Sequence, residues 1–223
     1  MDVSIFEAVG PIMIGPSSSH TAGAAKLARI ARSIVGPEFE HVTFGLHGSF
    51  AKTYKGHGTD IALVAGALGL YEDDENLVHA FQLAKEQNIT FEFYEIELEN
   101  THENSVLLTF FMEDGSKNEI IGSSIGGGQI VIQKINQFET EITAQACTLV
   151  INQYDKKGVV RDVTGVLADN HINIGIMKVN RTAKGEMACC IIETDSEITN
   201  DVIESLKKVN NVINVHSIIV GNE

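Results

Sequence analysis

The sequence predicts an α+β protein in two parts, an N-terminal α/β region over residues 1–135 and a C-terminal βαββαβ unit over residues 146–223. Three observations carry that expectation. Helical and strand-like hydrophobic periods alternate through the first part. Polar, glycine-rich loops there lead into helix starts. After residue 146 a single clean strand–helix–strand–strand–helix–strand order appears, which is the ferredoxin-like plan. The 223-residue length accommodates both parts, since domains commonly hold about 100–150 residues.

The first element to justify follows Gly15-Pro16. Ser17-Ser18-Ser19-His20-Thr21 precedes an Ala-rich run from Ala22 to Val35. Its apolar residues Ala24, Leu27, Ala28, Ala31, Ile34 and Val35 fall on one helical face. Ser or Thr before such a run is an N-cap signal. Unpaired N–H groups at a helix start also suit a carboxylate or phosphate. The stretch therefore serves either as a capped turn or as an anion-binding loop with a titratable histidine. Upstream, Ser4 to Val9 reads as a short helix or arm ended by Gly10-Pro11.

His41 to His47 alternates and reads as a strand. Gly48 to Asp60 reads as a second polar, glycine-rich loop, in which Gly56 and Gly58 flank His57 and Thr59 or Asp60 caps a helix from Ile61 to Leu70. Asp73 to Gln87 reads as a helix. Thr90–Leu98 and Val106–Met112 read as two strands in a hairpin-like pair with the polar tip Asn100 to Asn104. Asp114-Gly115 is a turn signal. The run Gly126-Gly127-Gly128 is either a flexible loop or a set of backbone donors that approach a ligand closely. Gln133 to Thr143 lacks strong periodicity and reads as the linker. Beyond it come the strand Thr148–Ile151, a helix Val159–Asn170 opened by Gly158, strands Ile174–Val179 and Met187–Glu193, a helix Asp201–Val209 capped by Thr199, and the strand Val212–Val220.

The net charge of −14 argues against nucleic acid or an anionic membrane as the main partner. No apolar run approaches the roughly 18 residues of a membrane-spanning helix, and the N-terminus lacks the signal-peptide pattern, so a cytoplasmic location is expected. Cys147, Cys189 and Cys190 are an odd set with an adjacent pair, which is neither a disulfide framework nor a metal site. Cys189 and Cys190 lie in a strand-like run and point to opposite faces, and all three are expected as buried structural thiols.

The order and spacing of three motifs closely resemble the iron–sulfur-dependent L-serine dehydratases, and in particular the separate β chain of their two-chain bacterial form. They are Ile14-Gly-Pro-Ser-Ser-Ser-His-Thr21, His47-Gly-Ser-Phe-Ala-Lys-Thr53 and Gly56-His-Gly-Thr-Asp60. The resemblance covers nearly the whole chain. It implies conversion of L-serine to pyruvate and ammonia without pyridoxal phosphate, assisted by a [4Fe–4S] cluster. Such clusters usually take about four thiolates, so the cluster is expected on a partner α chain and no metal on this one. The first domain resembles the family's substrate-binding-like domain, whose fold is shared with regulatory domains of some phosphoglycerate dehydrogenases. The second resembles an ACT domain through Asp155 to Val163 and Leu167 to Ile174. ACT domains pair with one another and often bind amino acids near the first strand–helix turn. That implies Gly158 and Val159, with Asn170, Ile172 and Asn173 opposite, unless the domain serves dimerisation alone.

Reactivity near neutral pH favours a histidine base, whose unperturbed pKa is about 6.5. Of the eight histidines, His57, His20 and His102 lie in the loops that carry the family likeness. His57, flanked by glycines, is expected to be the proton-abstracting base. His20, with Ser17, Ser18, Ser19 and Thr21, is expected to hold the substrate carboxylate, which Lys52 would pair with. His102 and Asn104 would orient the substrate or its departing hydroxyl. Thr59, Asp60, Gly126, Gly127 and Gly128 complete the expected binding set. His41, His79, His171 and His216 are read as structural. The alternative reading is a non-catalytic, amino-acid-sensing regulatory subunit of this or a related enzyme.

Overall fold

The computed structural model describes residues 15–219. The expected arm at residues 4–9 and the end of the last strand at Val220 lie outside them. The described residues divide into two compact units, one reaching residue 136 and taking in 140–143, the other holding 137–139 and 144 onward.

The first unit is built on a six-stranded sheet of order β2-β1-β3-β4-β5-β6. Its strands are β1 (Phe39–Leu46), β2 (Thr90–Glu95), β3 (Ser105–Met112), β4 (Lys117–Gly126), β5 (Gln129–Ile135) and β6 (Phe138–Ile142). A π-helical turn, Ser18–Ala22, runs directly into helix α1 (Gly23–Val35). The apolar face expected for α1 is the buried one: Ala24, Leu27, Ala28, Ala31, Ile34 and Val35 lie in the core. Small residues let it sit close to its neighbours. A Cβ on Gly66 of helix α3 (Thr59–Ala67) would fall 2.1 Å from the Ala25 carbonyl oxygen, and one on Gly122 of β4 would fall 2.5 Å from the Leu27 side chain.

Several sequence-based expectations are corrected here. The stretch from Gly48 to His57 is not a loop but helix α2. Phe50, fully buried, anchors it, and Thr53 Oγ1 donates to the Ser49 carbonyl at 2.8 Å. The two glycines misled the reading: Gly56 is tolerated inside the last turn, and Gly58 (φ +68°) is the left-handed residue that ends the helix. That same Gly58 is the N-cap of α3, so neither Thr59 nor Asp60 caps it. Thr59 is fully buried, and Asp60 accepts from the adjacent Ile61 N–H at 2.9 Å.

The helix expected over 73–87 divides into a 3₁₀ segment, Glu75–His79, and helix α4, Ala80–Glu86. Its start is capped by Asp74, which accepts from Asn76 N–H at 2.8 Å. β2 and β3 do not form a hairpin. β1 lies between them, parallel to β2 and antiparallel to β3. The connection through α2, α3 and α4 carries the chain across the sheet, as a parallel pair requires. The linker expected at 133–143 is also structured, because Phe138, Thr140 and Ile142 alternate inward and form edge strand β6.

The second unit has the expected βαββαβ order. Its elements are β7 (Cys147–Tyr154), α5 (Val159–Asp169), β8 (Ile174–Arg181), β9 (Met187–Thr194), α6 (Asn200–Lys207) and β10 (Val212–Ile218). The sheet order is β10-β7-β9-β8, with every pairing antiparallel. Leu149, Ile151, Val163, Leu167, Ile192, Val202 and Leu206 form its core. Cys189 and Cys190 are fully buried, and burial pushes each thiol up to about 12. Cys147 is only half-buried, a correction to the expectation of three buried thiols. Thr199 occupies the N-cap position of α6, but its hydroxyl makes no capping bond.

Candidate functional site

The site grows from two helix starts and one strand-end loop of the first unit. Ser17 has extended backbone (φ −143°, ψ 126°), and its hydroxyl accepts from the His20 N–H at 3.1 Å. The Ser17 carbonyl then accepts from Thr21 N–H at 2.9 Å and Ala22 N–H at 3.3 Å, so the first turn is wider than an α-helical one. Such π-turns recur at functional sites. Here the widening places His20 over α2.

His20 meets three side chains of α2. Its Nε2 lies 3.2 Å from Ser49 Oγ. Its ring packs edge-on against Phe50, with centroids 5.3 Å apart, and lies 4.9 Å from the ring of His57. Thr21 Oγ1 donates to the His57 carbonyl at 3.2 Å. His57 is exposed at the C-terminal end of α2. Its Nδ1 lies 3.3 Å from the Thr53 carbonyl, an oxygen that can only accept. The proton therefore sits on Nδ1, and Nε2 is the free, basic nitrogen.

Burial, with the nearby His57 as the smaller cause, lowers the pKa of His20 below its ordinary value. His20 therefore resists protonation. Because the folded value lies below the unfolded one, the stability tied to neutral His20 is fully present above pH ~6.5 and is lost as pH falls through the lowered value. The melting temperature is expected to hold steady above pH 6.5 and to decline below it, with a shallower decline in His20→Gln. An identical acid limb in both proteins would contradict the assignment.

The third contributor is the loop before β3. Gly48 (φ +58°) brings α2 so close to it that an added Cβ would fall 2.6 Å from the Glu103 carbonyl oxygen. Ser49 N–H donates to that carbonyl at 2.8 Å, and His47 N–H donates to the Ser105 carbonyl at 3.0 Å. His102 Nδ1 accepts from Asn104 N–H at 3.1 Å, which leaves Nε2 as its protonated nitrogen in the neutral form. Ser124 N–H donates to the Asn104 carbonyl at 2.9 Å. Ser124 Oγ, fully buried and without a partner, lies against α1, where a Cβ on Gly23 would fall 2.0 Å from it. Thr59 Oγ1 and Asn104 Oδ1 are likewise buried without partners.

Not every expected residue joins this cluster. Lys52 is exposed on α2. Gly126, Gly127 and Gly128, with φ of +102°, +60° and +76°, form the tight turn between β4 and β5. Ser49 and Phe50 were missed, although they follow directly on Gly48. His41, read as structural, lies 2.7 Å from Thr90 Oγ1, and His47 accepts from the Leu98 N–H at 3.1 Å.

In the second unit, Gly158 (φ +95°) opens α5 and Asn170 closes it. An 11-residue helix is about 16 Å long, so Gly158 and Val159 cannot share one small pocket with Asn170 to Asn173 inside a single chain. The Val159 side chain is in the core. Asn170 Nδ2 donates to the Val166 carbonyl at 2.8 Å, and Asn173 Nδ2 donates to Asp195 at 2.6 Å. Ile172 packs against the core.

Fold and site together define a class: a two-unit α+β protein with a histidine–serine cluster in its first unit and an ACT domain, matched over residues 148–211, in its second. The serine dehydratase beta chain family matches residues 4–135, and the chain belongs to that family. It is 41 % identical to the probable L-serine dehydratase, beta chain, of Bacillus subtilis over 96 % of this chain and 97 % of that protein. It is 42 % identical to the L-serine dehydratase, beta chain, of Peptoniphilus asaccharolyticus over 92 % and 91 %. A D-3-phosphoglycerate dehydrogenase of Methanocaldococcus jannaschii is 27 % identical over 63 % of this chain and 26 % of its own length.

Proposed function

We propose that this chain is the β subunit of an iron–sulfur L-serine dehydratase and supplies the acid–base side chains for converting L-serine to pyruvate and ammonia. The observation that supports this most is His57. It is an exposed imidazole whose Nδ1–H is tied to a backbone carbonyl, which leaves Nε2 as the acceptor nitrogen, and whose ring lies 4.9 Å from that of a second histidine that resists protonation.

A [4Fe–4S] cluster does not fit this chain's own donors. Among the described residues no group of three or more His, Cys, Asp or Glu could hold a metal ion. Cys189 and Cys190 are buried, with pKa pushed up to about 12. The cluster belongs on a partner α chain in this reading.

The start of the π-turn offers backbone N–H groups and the hydroxyls of Ser17, Ser18 and Ser19 to the substrate carboxylate, while buried Thr21 spends its hydroxyl proton on the His57 carbonyl. His57 Nε2 takes the Cα proton while Thr53 steadies the resulting imidazolium through Nδ1–H. Neutral His20, held by Ser49, adds no competing charge beside it. His102 and Asn104 border the place where the β-hydroxyl leaves. Loss of that proton and of hydroxide gives 2-aminoacrylate, which tautomerises and hydrolyses to pyruvate and ammonia. The ACT domain serves pairing or effector binding, and the assembly works in the cytoplasm.

The test is carbethoxylation of the reconstituted two-chain enzyme by diethyl pyrocarbonate. Loss of pyruvate formation should parallel modification of His57 in peptide maps, and L-serine should slow both. Full modification of His57 with activity retained would overturn the assignment.

A further inference from the structure

A chain of polar side chains on β3, β4 and β5, two buried serines and a half-buried glutamine, ends at the carbonyl of His102. Ser105 Oγ donates to that carbonyl. Ser105 Oγ and Ser123 Oγ lie 2.7 Å apart, directly opposite each other in the β3–β4 register. Ser123 Oγ lies 2.7 Å from the atom assigned as Gln133 Oε1. Both serines are fully buried.

The position of Gln133 is itself unusual. β4 and β5 pair Ile121 with Lys134 and Gly122 with Ile132, so Gln133 is the extra residue of a β-bulge. Bulges re-aim side chains and are frequent near active sites. This one directs an amide onto the serine that follows the β4–β5 register shift.

Counting protons fixes the direction of the chain. Each hydroxyl has one proton to give. Ser105 uses its proton on the His102 carbonyl, which accepts only. The bond between the serines therefore uses the Ser123 proton, and Ser123 has none left for Gln133. The third bond must be donated by Gln133, which places the amide nitrogen rather than the oxygen against Ser123; amide orientation is assigned by such networks.

We infer that Gln133, Ser123 and Ser105 form a one-way relay of hydrogen bonds, donated from the Gln133 amide to the His102 carbonyl, that positions the His102–Asn104 loop. These are positioning residues. They act through His102 and Asn104, and the same loop receives Ser49 N–H from α2 and Ser124 N–H from β4. The catalytic meaning of the relay rests on the function proposed above, but its structural content does not.

The experiment uses ¹⁵N-histidine spectra of the full chain, with Gln133→Leu, Ser123→Ala and Gln133→Glu. The wild type should show neutral His102 as a fixed Nε2–H tautomer, because Nδ1 accepts from Asn104 N–H. Gln133→Leu and Ser123→Ala should both give an averaged tautomer. Gln133→Glu cannot donate and should behave like Gln133→Leu; if it keeps the wild-type signal, the direction of the relay is overturned. Ile132→Val, a core change on the other face, should leave His102 unchanged. An unaltered His102 signal in both Gln133→Leu and Ser123→Ala overturns the inference, whatever happens to turnover. In the reconstituted enzyme kcat/KM for L-serine should fall on the order of 10–10²-fold in these two variants, a readout that fails separately if the functional reading is wrong.

Discussion

His57→Gln should lower kcat of the reconstituted enzyme roughly 10²–10⁴-fold, the usual worth of a positioned general base. Glutamine keeps a polar side chain of similar reach but has no basic nitrogen. The change sits at the exposed end of α2, so folding should be intact. The His57 carbonyl that accepts from Thr21 remains, because it belongs to the backbone. Partner binding and thermal stability should therefore match the wild type, and only turnover should drop. Both are measurable on one preparation, by steady-state pyruvate formation and by a melting curve. Turnover within a few-fold of wild type would move His57 out of the chemistry and leave His20 as the remaining candidate.

The second large effect is expected at Gly48. Its φ of +58° strains any L side chain, and an added Cβ would fall 2.6 Å from the Glu103 carbonyl oxygen and 2.9 Å from the Glu103 Cα. Neither obstacle is the end of a flexible side chain. Left-handed backbone costs about 1–2 kcal/mol and overpacking a further ~1–3 kcal/mol, so Gly48→Ala should lose roughly 2–5 kcal/mol in denaturant unfolding. It should also separate α2 from the 102–104 loop and so lower turnover beyond what stability explains. Gly56→Ala is the internal comparison. It lies in the same helix with nothing within 4 Å of an added Cβ, and should be neutral or stabilising by about 0.5–1 kcal/mol. Equal destabilisation by both would show that Gly48 is an ordinary helix-start glycine.

The second unit was fully legible in order because its elements are short, uninterrupted and bounded by turn residues. Val159, Val163 and Leu167 repeat on a helical period, and Leu149 and Ile151 on a strand period, and all five are in the core. The first unit was less legible where one residue serves two elements. Gly58 both ends α2 and starts α3, and a glycine pair around a histidine looks like a loop when it is a helix end. The alternation of Phe138, Thr140 and Ile142 was present but diluted by the charged residues between them. The order of β2, β1 and β3 was hidden for a different reason: strand neighbours along the chain need not be neighbours in the sheet, and no local pattern records which strand inserts between them.

For the site, the serine stretch placed the π-turn residues together, and the glycine-flanked His57 lies beside His20. What local sequence did not reveal is the contact that joins them. Ser49 reaches His20 only because α2 is a helix, and Lys52 on the same helix is exposed. Gly126 to Gly128 carried a strong composition signal whose physical demand is met by a tight turn alone. Gln133 gave no signal, since its importance comes from a bulge that depends on its partner strand.

The central claim is that chemistry is shared between this chain and a cluster-bearing partner. The most direct measurement is anaerobic pyruvate formation from L-serine by this chain alone, by the α chain alone and by the mixture. The account predicts turnover only in the mixture. Full turnover by the α chain alone, merely modulated when this chain is added, would contradict it and make the His20–His57 cluster a ligand-sensing site.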